Sequence, residues 1–541
     1  LIWKAWKKRS DATPNVSQSK FDYIIVGAGV AGCTLASEIT KRELGSVLLL
    51  EAGGLATSLH LKIPSQYPLA FSGRHSWGHM TTPQSNLANR KIAIPVGRTL
   101  GGSSAINAMI FMRAHASDFD AWQSQLGEAW ASDRVDEAFG AIEQMTGMLD
   151  CALPEVHEVI EDLMECIGQS VPRHRRLEQP RLGVGPFVRC QKDGRRQSAW
   201  DLQLSHRSRK PSLTVRTDTE VKQIEFDLDR ATGVQVLTTH GIESIHAGKG
   251  VILCAGAIHS PRILLGSGIG DAEDMRGLGR SLFCQSAAVG QNLHDHLVYP
   301  IVHHLRRGVS LSPSPSREDR MRYLRDRTGP RSSNIAEAGG FFAWHGSSNA
   351  SVPDYQWHIT PTHYLEYPHR HDPTSAISFG VTVLRPKSRG RISLVRSEDA
   401  NGTDAKGPFT LRIDPAYLTE ESDRTDFVRS IQESRKRLAD SNFQTLLGQE
   451  IMPGEKRIDE DQIAKSIARF ATTIYHYVGS CKMGTSKDHS VVDPHFRVHG
   501  IDGLHVCDAS TMPSIVSANP QCTVMMMAYR LANWLESATS T

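Results

Sequence analysis

Residues 22–51 constrain what this chain can fold into more than any other stretch. Asp22–Val26 (DYIIV) is a short apolar, β-branched run, which reads as a buried strand. Gly27-Ala28-Gly29-Val30-Ala31-Gly32 follows as a G-x-G-x-x-G, and Ala31, Leu35, Ala36 and Ile39 recur at helical spacing. Val47–Leu50 (VLLL) is a second buried strand. A β-α-β unit of this length requires a parallel sheet, so the chain reads as α/β. Gly27 permits the tight turn, Gly29 lets the backbone approach a pyrophosphate, and Gly32 lets helix and strand pack closely. The pyrophosphate would sit on the helix N-terminus, where free N–H groups and the helix dipole favour negative charge. Glu51 ends the second strand, 19 residues after Gly32, where a carboxylate accepts hydrogen bonds from a ribose diol. The plain alternative is a glycine-rich turn with no ligand. Strand, helix, second strand and acid together favour a bound FAD or NAD.

Composition removes several other classes. Lys+Arg 61 against Asp+Glu 58 leaves a formal charge of +3, so bulk charge gives no support to nucleic-acid binding. No stretch reaches 18 apolar residues, so no spanning helix is expected. The nine cysteines are scattered and form no C-x-x-C pair, which reads as reduced thiols rather than a disulfide framework or zinc site. A cytoplasmic location follows from that reading, with an organellar one as the alternative. Residues 1–20 read as a disordered or processed tail.

Further along, strand-like runs occur at 213–217 and through residues 220–254. The Arg-, Ser- and Pro-rich stretch 303–333 reads as a long loop or lid, with a solvated face as the plain account of its charge. Strand-like runs resume at 338–343, 355–360, 377–384 and 390–395, and helical patterns fill about 420–473. The chain closes with a strand, Gly503–Cys507, and a long apolar helix from Pro520 to about Glu536.

Two segments carry a family resemblance. GRTLGGSSAINAMIFMRAHASDFDAW begins at Gly97, and GAIHSPRILLGSGIG begins at Gly256. Both closely resemble signatures of the glucose–methanol–choline (GMC) flavoprotein oxidoreductases. Val289–Asp295 (VGQNLHD), Leu384–Gly390 (LRPKSRG), Ile413–Leu418 (IDPAYL) and Gly503–Ser510 (GLHVCDAS) are further echoes, in order along nearly the whole chain. The resemblance implies FAD rather than NAD. It also implies a discontinuous Rossmann-like FAD-binding domain (21–160, 205–300 and 470–541) carrying an inserted α+β substrate domain (161–204 and 301–469) on a mainly antiparallel sheet.

Carried over by motif, Gly27, Gly29, Gly32 and Glu51 match the ADP-binding positions. Gly102, Ser103 and Asn107 match the loop beside the pyrophosphate and isoalloxazine. Val221, Ala255 and Gly256 match adenine-side positions, and Asp508 and Ala509 a second phosphate-side turn. Asn519, Pro520 and Thr523 belong to the NPQCT run expected at the flavin ring. Members that bind FAD covalently use a His just before the Asn of the GGSS segment. Ile106 stands there, so non-covalent FAD is expected.

Tyr475-His476-Tyr477-Val478-Gly479-Ser480 resembles the family's H-x-x-G-[ST] motif, so His476 matches the catalytic histidine. A neutral imidazole can take a hydroxyl proton near physiological pH, while the flavin takes the hydride. Asn519, 43 residues later, matches the partner that donates to the substrate oxygen. It also reads as an N-cap, with Pro520 as the first helical residue. The implied activity is oxidation of an alcohol to an aldehyde or ketone, with oxygen or another carrier accepting the electrons. A hydroxynitrile-lyase-like or fatty-acid-photodecarboxylase-like reaction is the alternative. The photodecarboxylases carry a Cys before the Arg-Pro dipeptide where this chain has Leu384.

On the substrate side, Tyr475, Trp357 and His358 are candidate pocket residues. Glu337 could meet a substrate cation or serve a structural ion pair. The histidines at 358, 363, 369 and 371 fit no compact metal motif, and no metal is expected. Cys481 and Cys522 read as inert packing.

Overall fold

The computed structural model describes residues 21–539 apart from 150–154, 169–170, 206–209, 313, 348, 364–374 and 397–408. The expected tail 1–20 and the histidines at 369 and 371 lie outside the described residues.

The β-α-β unit forms as read. Strand β1 (Phe21–Val26), helix α1 (Val30–Lys41) and strand β2 (Val47–Leu50) follow one another, and β1 and β2 pair in parallel. Ile24 and Ile25 of β1 and every residue of β2 are almost fully buried, as a strand covered on both faces requires. Gly32 is where helix and strand touch. A Cβ built on it would lie 1.9 Å from the Gly27 carbonyl oxygen, so no larger residue fits without moving backbone.

Strand β3 (Leu213–Arg216) adds to β2 in parallel. Strands β4 (Glu220–Asp227), β5 (Arg230–Thr238) and β6 (Gly241–Leu253) form an antiparallel meander, and the sheet order is β3-β2-β1-β6-β5-β4. β6 serves two environments. Its first half pairs with β5 and is mostly exposed, whereas Val251, Ile252 and Leu253 pair in parallel with β1 and are buried. A short strand, Leu504–Val506, pairs with the far side of that buried half. Helix α2 (Gly256–Gly266) leaves the end of β6, beside the glycine loop.

The second sheet is antiparallel. Strand β7 (Leu297–Leu305) is joined by β8 (Ala338–Phe342), β9 (Tyr355–Thr360), β10 (Ala376–Val383) and β11 (Leu447–Met452), in the order β8-β9-β10-β7-β11. Phe427, Ile431, Ile463 and Ile467, from helices at 421–438 and 460–470, share its core with Tyr355, Trp357 and Phe379. The architecture is the expected mixed α/β fold: a Rossmann-like half and an antiparallel half.

Three details differ from the sequence reading. The stretch 303–333 holds a helix, Arg317–Asp326, started by a Ser316/Asp319 capping box, rather than a continuous loop. β11 interrupts the helical pattern of 420–473. Helix Glu158–Ile167 lies in residues 150–205, a stretch whose sequence pattern is mainly polar. Among the described residues no helix is long and apolar enough to cross a membrane, and no two described cysteines form a disulfide.

Gly32→Ala tests the closest helix–strand contact. Forcing the added methyl into that space is expected to cost about 1–3 kcal/mol, read as a lower midpoint in thermal or urea unfolding.

Candidate active site

One cavity runs from the glycine loops of the first sheet to one face of the second. At the first end, Gly29, Val30 and Ala31 put the start of α1 on the wall. That N-terminus has no side-chain cap and no acid in its first turn, so its positive end is left for an anion. Gly102 (φ +54°) lies against it. A Cβ on Gly102 would stand 2.7 Å from the Gly29 Cα, so these two loops meet as bare backbone. Buried Arg196 clamps the 102–107 loop, donating to the carbonyls of Ser104 (3.0 Å) and Asn107 (2.6 Å) and to Asn107 Oδ1 (2.8 Å). Glu51 accepts from the N–H groups of Ala28 (3.0 Å) and Gly53 (2.9 Å). Burial raises its carboxyl to about 7, against the pull of those two donors. Asp508 accepts from the Gly256 N–H (2.8 Å) and the Ser260 hydroxyl (2.6 Å), which ties the start of α2 to the 504–511 segment.

At the other end stand His476, Asn519 and His358. Proton positions there follow from the acceptors. His296 Nε2 faces the Leu384 carbonyl at 2.9 Å; a carbonyl only accepts, so this nitrogen carries the proton. Burial, then nearby Arg385, lowers the His296 pKa to about 4, so the ring is neutral and its Nδ1 is bare. His476 Nδ1 lies 3.0 Å from that bare nitrogen and therefore donates to it. His476 is also held neutral, pushed well below the usual histidine range by burial and by the neighbouring His296 and His358. Its Nε2 is therefore a lone pair facing the cavity. Asn519 agrees independently: its Nδ2 donates to that Nε2 at 3.1 Å.

Backbone ties hold this geometry. The His476 N–H donates to Asp295 Oδ1 (2.7 Å), and Asp295 also accepts from the hydroxyls of Thr473 (2.5 Å) and Tyr417 (2.6 Å). The approach to Asn519 is anchored by Asp118, which accepts from both the N–H and the hydroxyl of Ser517 at 2.7 Å. Tyr475, just before His476, sits in the left-handed region (φ +69°), a strained setting for a tyrosine that fits a site over-determined by its surroundings.

Among the candidate residues, Gly27, Gly29, Glu51, Gly102, Ser103, Asn107, Val221, Ala255, Gly256, Asp508, Ala509, Asn519 and Pro520 line the cavity, as do Tyr475, His476 and His358. Four do not. Gly32 acts one step back, through packing. Thr523 is buried inside the final helix (Gln521–Thr539). Trp357 points away from the cavity on β9 and donates to Ser434 (2.8 Å), while His358 and Thr360 point in, as strand alternation demands. Glu337 is 1% exposed, accepts from the His157 N–H at 2.6 Å and has Arg189 as a charged neighbour. Asn519 does not cap the helix with its side chain. Its amide donates to His476, its Oδ1 has no partner, and the first helical carbonyl is that of Pro520. Cys481 and Cys522 are fully buried, with thiols pushed far up by burial, as inert packing requires.

Two residues of the site, His296 and Arg196, are not among those the motifs single out. His296 follows directly on the quoted VGQNLHD segment, which is the one signal that could have singled it out. Arg196 stands in a polar stretch with no motif around it.

The family model described as GMC oxidoreductase matches residues 21–298, and its C-terminal counterpart matches 386–528. The chain belongs to the GMC oxidoreductase family. It is 32% identical to an alcohol dehydrogenase (acceptor) of Pseudomonas putida, covering 95% of each chain. It is 33% identical to an oxygen-dependent choline dehydrogenase of Pectobacterium carotovorum, covering 95% of this chain and 94% of that one. Its structure resembles pyridoxine 4-oxidase from Mesorbium loti with a TM-score of 0.82 at 26% identity, covering 95% of this chain and 99% of that one. The family uses FAD, and this cavity fits it. Bare glycine loops and an uncapped helix end suit the pyrophosphate, and Asn519 Oδ1 and His358 Nδ1 are buried, unpartnered atoms at the His476 end.

His296 and His358 are both lowered to about 4 by burial, so neither gains a proton between pH 7 and 5. In the unfolded chain both protonate near 6.5. The unfolded state then binds more protons, so stability falls as pH drops from about 6.5 toward 4, by roughly 3 kcal/mol for each ring. Histidine ring signals in proton NMR that stay flat from pH 7 to 5, with falling urea midpoints, are the expected pair of observations.

Proposed function

We propose that this GMC oxidoreductase oxidises an alcohol to the aldehyde or ketone, with His476 as the base and Asn519 as the ligand of the reacting oxygen. One observation carries the reading. His476 Nε2 and Asn519 Nδ2 meet at 3.1 Å on the wall of a cavity whose other end is the glycine loops. Bound FAD supplies the hydride acceptor that no side chain provides. An alcohol that displaces this direct contact donates its hydroxyl hydrogen to His476 Nε2 and accepts from Asn519 Nδ2. As the carbon–hydrogen bond breaks, the hydroxyl proton passes to Nε2 and the oxygen becomes a carbonyl. His476 then carries two N–H groups, one of which still donates to His296 Nδ1. Asn519 stabilises the alkoxide character that builds on the oxygen.

Ile106 on the cavity wall offers no nucleophile, which supports non-covalent FAD. The cysteine pattern supports a reducing, cytosol-like compartment. The electrons leave to oxygen or to another carrier, and reoxidation of the reduced holoenzyme in air separates an oxidase from a dehydrogenase. The division into a discontinuous FAD unit and an inserted substrate unit belongs to the same proposal. The lyase and photodecarboxylase alternatives are not favoured, since the relatives are alcohol and choline dehydrogenases and Leu384 stands where photodecarboxylases have Cys.

His476→Ala is expected to slow anaerobic bleaching of the flavin by alcohols about 10²–10⁴-fold while FAD stays bound. Unchanged bleaching would remove His476 as the base. His296→Leu removes the acceptor that fixes the His476 tautomer, so kcat should fall with little change in KM or FAD content. His296→Gln, whose side-chain oxygen can accept, should restore part of the loss.

A further inference from the structure

The cavity wall changes character along its length. Among the described residues the carboxyl and guanidinium side chains on it are Glu51, Glu220, Arg262 and Asp508. All four are committed on the first sheet's side. Glu51 is held by the Ala28 and Gly53 N–H groups, and Asp508 by Gly256 and Ser260. Glu220 pairs with Arg262 at 2.9 Å. Around His476 the wall is built instead from Val298, Ile474, Tyr475, Phe71 and Tyr67, with the uncharged His358 and Thr360. The carboxylate that could have balanced a substrate cation, Glu337, is turned away and accepts from the His157 N–H.

We propose that the site takes neutral alcohols with hydrocarbon bodies and discriminates against alcohols that carry a permanent positive charge. The inference rests on the alcohol-oxidising reading above. A cation entering this end would lose its hydration and, among the described residues, meet no carboxylate that is not already committed elsewhere. An aromatic face attracts a cation by about 0.5–2 kcal/mol, roughly 2- to 30-fold in affinity, whereas an ion taken out of water without a counter-charge loses several kcal/mol. Here the rings also use one another: Phe71 meets Tyr67 and Tyr475 edge to face, with centroids 5.7 and 5.0 Å apart. A hydrocarbon body faces no such penalty, and each buried methylene favours binding by about fourfold.

The test compares choline with 3,3-dimethyl-1-butanol, its uncharged carbon counterpart, and with ethanol, 1-butanol and 1-hexanol. The readout is anaerobic bleaching of the holoenzyme. The neutral series should improve with length by up to about fourfold per methylene. Choline should be at least ~100-fold less efficient than the best neutral alcohol. Two compounds that cannot be oxidised give a readout apart from turnover. tert-Butanol should perturb the oxidised flavin spectrum at concentrations where tetramethylammonium does not. Choline matching the best neutral alcohol, or tetramethylammonium binding as well as tert-butanol, overturns the proposal and leaves the alcohol-oxidising reading standing. Bleaching by none of these alcohols overturns both.

Discussion

The Leu384 carbonyl accepts from His296 Nε2 at 2.9 Å, and the proton arrangement of the site is set by that contact. Each nitrogen next along has only one role left: His296 Nδ1 accepts, His476 Nδ1 donates, and His476 Nε2 is bare. Burial keeps both rings neutral, which makes the chain unambiguous, since an imidazolium would carry protons at both ends. A histidine whose Nε2 already carries no proton needs no change of tautomer before it accepts one.

The same few residues join the two halves of the molecule. Asp295 and His296 immediately precede β7 of the antiparallel sheet, yet they hold the segment after its neighbouring strand 472–473, where His476 lies. Asp508 ties the 504–511 segment to the start of α2, and Gly479 N–H donates to the Ala509 carbonyl at 3.1 Å. Asp118 fixes Ser517, two residues from Asn519. His476 and Asn519 are therefore set by contacts between segments far apart in sequence, and the cavity they face spans both sheets.

Local signals were legible and non-local ones were not. The β-α-β unit could be read because apolar runs, glycine spacing and the terminal acid all lie within 30 residues. His476 and Asn519 were reachable only through motif resemblance, since nothing in composition links positions 43 apart. His296 escaped because its role depends on a partner 180 residues away and on a backbone carbonyl, which has no residue signature. Trp357 and His358 are adjacent on one strand, so they face opposite sides, and a period of two could have excluded one of them from the pocket. Strand β11 (LGQEIM) lacks a clear alternation, and helix 317–326 is so polar that its capping box was its main signal.

The central claim is the position of one proton. In the holoenzyme labelled with ¹⁵N-histidine at pH 7, the two ring nitrogens of His476 report it directly by NMR. The account predicts that Nδ1 bears hydrogen and Nε2 is bare. A protonated Nε2, either in the opposite tautomer or in an imidazolium, would contradict it.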